Sequence, residues 1–186
     1  MSSSNWIPWV SRSRDGDMTA FERLYHATRP RLHHVVAHMV GSGDEAREIV
    51  QKAFVKAWQR LPDLQEDAAF AGWIRRIAVN LVRDHWRSRK PEDEIAGDDE
   101  DGALEDGSPD PSEIVDERIE ADRLRAAVLE LPLVFREAVV LHYLDGSPVD
   151  EVARVLEIPR GTVLSRLSRG RSRLRLQLAP FREVAR

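Results

Sequence analysis

The chain has 186 residues, of which 42% are apolar and 32% charged, and its formal net charge is −4. That length holds one ordinary domain or two small ones, and the apolar content is enough for compact cores. The absence of cysteine excludes disulfides and thiolate metal sites, and no run approaches the roughly 18 apolar residues of a membrane span or the pattern of a leader peptide, so a cytoplasmic protein without membrane insertion is expected.

The net charge conceals its distribution. Residues 1–90 hold 15 Lys and Arg against 10 Asp and Glu, residues 91–122 hold 1 against 15, and residues 123–186 hold 12 against 7. Two basic units therefore flank an acidic connector, a layout that fits nucleic-acid binding by the units and not by the connector.

In chain order, residues 1–16 form an N-terminal extension carrying Trp6 and Trp9. From Asp17 to Val40 the pattern is helical, with Phe21, Leu24 and Tyr25 in one apolar cluster and Leu32, Val35, Val36, Met39 and Val40 in another. Pro30 stands between them and either starts a second helix or kinks a continuous one. Gly41-Ser42-Gly43 ends the element. Asp44 to Leu61 is the clearest amphipathic helix: Ala46, Ile49, Val50, Ala53, Phe54, Ala57, Trp58 and Leu61 recur at three- and four-residue steps, and Glu48, Gln51 and Lys52 lie on the opposite face. Pro62 stops it, and a polar loop runs from Asp63 to Ala69.

Phe70 to Arg89 is predicted as a third helix, with Phe70, Trp73, Ile74, Ile77, Ala78, Leu81, Val82 and His85 inward. Arg76, Asn80, Arg83 and Arg87 follow one another at helical spacing on the other side, with Arg75, Asp84 and Trp86 beside them. Guanidinium groups suit phosphates, asparagine suits a base edge, and an aromatic ring suits an unpaired base, so this stripe is a candidate nucleic-acid surface. The first domain thus spans 17–90. Residues 91–112 are too acidic and too poor in aliphatics to fold, so a flexible linker is expected there, with a helix starting near Ser112.

The second domain, 113–180, runs through Leu124, Ala127, Val128 and Leu131, breaks at Pro132, continues as Val134 to Leu144 and turns at Asp145-Gly146. It then enters SPVDEVARVLEIPRGTVLSRLSRGRSRL, which reads as a helix-turn-helix. Ser147 is a fitting N-cap, Pro148 a first helical residue, and Asp150 the partner in a capping box. Pro159 stops the short helix. In the helix that follows, Val163, Leu167 and Leu174 point inward, while Arg160, Arg166, Arg169, Arg171, Arg173 and Arg175 bring positive charge and no negative one. That is the charge pattern of a recognition helix on duplex DNA.

The order of these features resembles the sigma-70 family of bacterial RNA polymerase sigma factors, in its small extracytoplasmic-function (ECF) group. The motifs are DEAREIVQKAFVKAWQRL, FAGWIRRIAVNLVRDHWRSR and PRGTVLSRLSRGRSRL, in family order from Asp17 to Leu178. The resemblance implies an all-α chain of two small helical domains, sigma-2-like and sigma-4-like, and a transcription initiation factor that is not an enzyme and needs no cofactor. It implies core RNA polymerase as partner through its clamp helices and flap, with Glu48, Gln51, Lys52 and Trp58 at the clamp contact. Arg75, Arg76, Asn80, Arg83, Asp84, Trp86 and Arg87 would hold the melted −10 strand. Arg160, Thr162, Ser165, Arg166, Arg169 and Arg171 would bind the −35 duplex. Promoter DNA and an anti-sigma factor are the other implied partners. Lys52 and Leu164 depart from the family pattern, which favours glutamate at the first position and lysine or arginine at the second.

Two other readings come from different classes. A stand-alone helix-turn-helix regulator would bind its site without polymerase, and the docking-type helix speaks against it. A nucleic-acid enzyme would need a nucleophile with its base, or a metal site; His34 and His38 lie four apart on a helix but have no third ligand at motif spacing.

Overall fold

The computed structural model describes residues 6–89 and 117–183, and among them every regular element is helical. The acidic linker and the helix start expected near Ser112 lie outside the described residues. The helices are α1 (Ile7–Arg14), α2 (Met18–Val40), α3 (Gly43–Arg60), α4 (Phe70–Arg89), α5 (Glu117–Glu130), α6 (Leu133–Val139), α7 (Val149–Leu156) and α8 (Arg160–Glu183). Two short 3₁₀ turns, Leu61–Asp63 and Asp67–Ala69, fill the loop between α3 and α4.

In the N-terminal half, α2, α3 and α4 pack on one another through the stripes their sequences carry: Leu24, Val35, Val36, Ala46, Ile49, Val50, Ala53, Phe54, Ile74, Ala78 and Val82 are all buried. The starts of α2 and α3 have a local cause. Asp17 caps α2 by accepting from the Ala20 amide at 3.0 Å, and the Ser42 hydroxyl accepts from the Glu45 amide at 3.4 Å. Pro30 lies inside a continuous α2. It sits on the exposed face, where water can satisfy the carbonyl that loses its partner. Gly41 ends α2 in the left-handed region, φ 83°, where a side chain would be strained.

The N-terminal extension is part of this core. Val10 is fully buried, Trp6 meets Phe70 edge-on at 5.9 Å, and Arg14 pairs with Asp67 across the α3–α4 loop. α1 therefore braces the start of α4.

In the C-terminal half, α6 runs into a π-helical turn, Val140–Leu144, and packs against α8. The contact is close: a Cβ on Gly170 would lie 2.7 Å from Val139 Cγ2. α7 and α8 form the expected helix-turn-helix, joined through Glu157 at φ 59°. The expected capping box is not formed. α7 begins at Val149 with Pro148 in the cap position and no side-chain cap, while the buried Ser147 hydroxyl donates to Asp145 Oδ2 at 2.7 Å. A buried carboxylate needs donors more than an exposed helix start does. Asp150 pairs instead with Arg160 at 3.1 Å.

Candidate nucleic-acid interface

α4 presents its basic stripe to the C-terminal half. The Arg83 guanidinium donates to both carboxylate oxygens of Glu137, each at 2.7 Å, and the Glu137 side chain is only 1% exposed. Hydrogen bonding to Glu137 raises the Arg83 pKa still further above its ordinary value. Arg75 is buried between Asp145, at 3.1 Å, and Glu151. Arg76 pairs with Glu157. Asp145, whose side chain is wholly buried, also accepts from Arg31 of α2 at 2.5 Å.

A cation from the C-terminal half reaches back. Arg136 donates to the Met39 carbonyl at 2.7 Å and lies 5.0 Å over the Trp86 ring, and the Trp86 indole donates to the same carbonyl at 3.3 Å. The structure thus brings Arg75, Arg76 and Arg83 together with carboxylates of the other half, and Trp86 together with its Arg136. Asn80, Asp84 and Arg87 remain exposed on the same helix, with Asn80 3.4 Å from an Arg83 nitrogen and Arg87 3.3 Å from Asp84. The wheel of α4 could assign a polar face. It could not show that the neighbours of that face lie 54 to 81 residues later in the chain. A groove of about 1260 Å³ opens beside these arginines, with Trp6, Trp9, Trp73, Arg31 and Arg154 in its walls.

On α3, Glu48, Gln51 and Lys52 are exposed beside Val55 and bound a shallow depression closed by Leu81. Lys52 pairs with Glu48 at 2.6 Å, and that hydrogen bond lowers the Glu48 pKa. Trp58 belongs to a different environment. It is half-buried, its ring centroid 4.8 Å from Phe21, in a cluster with Phe54 and Tyr25.

On α8, burial of Val163, Leu167 and Gly170 fixes the inward side. Leu164, Ser165, Ser168 and Arg169, at steps of one, four and five, therefore form the outward stripe of the first turns. Leu164 and Ser165 are exposed, Ser168 and Arg169 half-exposed. Arg160, 66% exposed, precedes this stripe, while Thr162, Arg166 and Arg171 are half-exposed on its flanks. Ser168 is absent from the residues chosen on charge and motif, and Leu164 enters there only as a departure from the family pattern; the helical period, applied from Val163, is the signal that places both on this stripe.

Among the described residues, no group of three or more His, Asp or Glu could hold a metal ion, and no helix is long and apolar enough to cross a membrane.

Two family models match the chain: Sigma-70 region 2 over residues 24–92 and Sigma-70, region 4, over residues 121–174. The ECF RNA polymerase sigma factor SigW of Bacillus subtilis is 30% identical over 182 residues, covering 91% of this chain and 94% of SigW. The RNA polymerase sigma-H factor of Pseudomonas aeruginosa is 33% identical over 181 residues, covering 92% and 93%. Among solved structures, the sigma factor RpoE of Bartonella quintana in complex with the anti-sigma factor NepR superposes with a TM-score of 0.65, at 23% identity, over 86% of this chain and 96% of that one. At that identity the likeness speaks for the fold.

Proposed function

The chain belongs to the sigma-70 family, as an ECF RNA polymerase sigma factor and so a transcription initiation factor, and from that premise we propose how its surfaces divide the work. The outward stripe of α8 enters the major groove of the −35 duplex, with Ser165 and Arg169 at base edges and Arg160, Thr162, Arg166 and Arg171 on the backbone. α4 holds the melted −10 strand with Arg75, Arg76, Asn80, Arg83, Asp84, Trp86 and Arg87. The exposed Glu48, Gln51 and Lys52 of α3 contact the polymerase clamp helices, with Trp58 supporting them from the core side; the sigma-4-like half contacts the flap. The protein works in the cytoplasm beside polymerase, performs no covalent chemistry and needs no cofactor. An anti-sigma factor is its expected regulator, since relatives of this fold are known in such complexes.

The observation that carries the reading is the joint presence of a helically ordered, at least half-exposed stripe on α8 and an arginine face on α4 whose Arg75, Arg76 and Arg83 are held by carboxylates of the C-terminal half. Carboxylates occupy the places where phosphates would pair, and so α4 meets DNA only after the two halves part. Binding to polymerase supplies the separation, and holding both DNA-reading units on one large partner makes the second contact effectively intramolecular. The capture step stabilises bases that would otherwise restack.

Run-off transcription with purified core polymerase over a promoter library tests this. Initiation dependent on the added chain is expected. Tight, sequence-specific duplex binding by the isolated chain, unchanged by polymerase and without initiation, would overturn the reading in favour of a stand-alone regulator.

A further inference from the structure

α8 carries two exposed leucines, Leu164 at 48% and Leu176 at 76%. Single exposed leucines on a surface need no explanation. Leu164 differs by its place, on the outward stripe of the recognition helix immediately before Ser165 and one turn before Ser168. Leu176 lies 12 residues further on, about 18 Å along the axis at 1.5 Å per residue, beyond the part of the helix that faces base edges.

A leucine in that position can do only certain things. It offers no hydrogen bond, so it contacts neither phosphate nor the polar edge of a base productively. Covering a guanine or cytosine edge would dehydrate an acceptor or donor and leave it unpaired, which is costly. In the major groove of unmodified DNA the one apolar group is the C5 methyl of thymine. Of its helix neighbours, Ser165 and Ser168 are short and uncharged, and Arg160, one turn before, is turned to Asp150 at 3.1 Å.

We infer that Leu164 is a specificity-determining residue of this sigma factor and reads a thymine methyl in the −35 element. The inference rests on the assignment of α8 to that duplex. Arg160, Arg166 and Arg171 supply the sequence-independent attraction, and Leu164 selects by apolar contact at a single base pair. A chain with arginine there would favour guanine instead, because the guanidinium fork matches the O6 and N7 acceptors.

Holoenzyme, assembled from core polymerase and the full chain, is used to enrich −35 sequences from a randomised duplex. Each enriched thymine is then replaced by uracil, which removes the methyl and nothing else. The wild type is expected to lose about fourfold in affinity at one thymine, the factor equivalent to one buried CH₂ group. Leu164→Ala should bind both versions alike at that position, and Leu164→Arg should enrich guanine on one strand there. Because the side chain is exposed and alanine favours helix, both variants should melt as wild type does. A wild type indifferent to every thymine-to-uracil change would overturn the inference, as would a Leu164→Ala variant equally sensitive at the same thymine. A holoenzyme that enriches no sequence would instead remove the −35 assignment beneath it, and Leu164's role with it.

Discussion

At the scale of single residues, Asn80 and Arg169 are where the proposed division into two DNA-reading steps can be tested. Asn80 is exposed on α4 and can meet an unpaired base, whereas Arg169 is on the outward stripe of α8. Asn80→Ala should impair strand opening and leave −35 binding intact; Arg169→Ala should weaken duplex binding by about 1–3 kcal/mol if it reads a base, or lower the salt slope by about one if it pairs with a phosphate. Permanganate footprinting on ordinary and pre-melted templates measures both. If Asn80→Ala opens duplex templates like wild type, α4 does not hold the −10 strand through that residue. Asp17 offers a test of the fold instead of the function. Its carboxyl is held below its ordinary pKa of 3.8, first by the Ala20 amide and then by Arg12. A carboxyl whose folded pKa is depressed contributes stability that is present above 3.8 and is lost as pH falls through the lower folded value. Asp17→Asn keeps a capping acceptor but cannot titrate, so its melting temperature should fall less steeply than wild type below that pH. An unchanged acid slope would show that the cap does not contribute to it.

At the scale of elements, what could be read in advance depended on whether the cause was local. α3 and α4 were legible because their apolar residues repeat with the helical period and bury the face that the period selects. The turn into α8 was legible because Pro159 leaves few alternatives. The cap of α7 was not, because the decision lies with Asp145: buried beneath two arginines, it takes the Ser147 hydroxyl that a local rule assigns to the helix start. Likewise the wheel of α4 marked a cationic face, and only the fold supplies Glu137, Glu151 and Glu157 opposite it. Gly170 shows the same limit, since nothing in RLSRGRSRL says that α6 passes there. Gly170→Ala gains about 1 kcal/mol of helix propensity but drives a methyl to 2.7 Å from the stiff, buried Val139, an overpacking that costs about 1–3 kcal/mol. The chain should melt lower than wild type, and Val139→Ala in the same chain should recover part of the loss. Additive losses in that double variant would mean the two sites are not coupled.

At the scale of the whole molecule, the question is how firmly the two halves hold each other, because the DNA role proposed for α4 requires them to part. Burying the Glu137 carboxylate is costly unless Arg83 stays with it, and breaking such a pair in a rigid protein costs about 3–5 kcal/mol. Here a cheaper response exists. The Arg83 side chain is 28% exposed and the halves are joined through a long acidic segment, so loss of the pair can be relieved by separation, which returns both groups to water. The surface pair Arg76–Glu157, with each side chain about half exposed, adds little by itself and is screened by salt. The inner pairs should therefore govern closure and the outer one should not. Glu137→Gln is expected to raise the affinity of the isolated chain for a single-stranded −10 oligonucleotide severalfold in fluorescence anisotropy and to enlarge its radius of gyration in X-ray scattering. Glu157→Gln should do neither measurably at physiological salt. Arg83→Gln added to Glu137→Gln should keep the enlarged shape and lose the gained affinity, because the guanidinium released by opening is then missing. A Glu137→Gln chain that stays compact and binds the oligonucleotide no better than wild type would mean that carboxylates of the C-terminal half are not what withholds α4 from DNA.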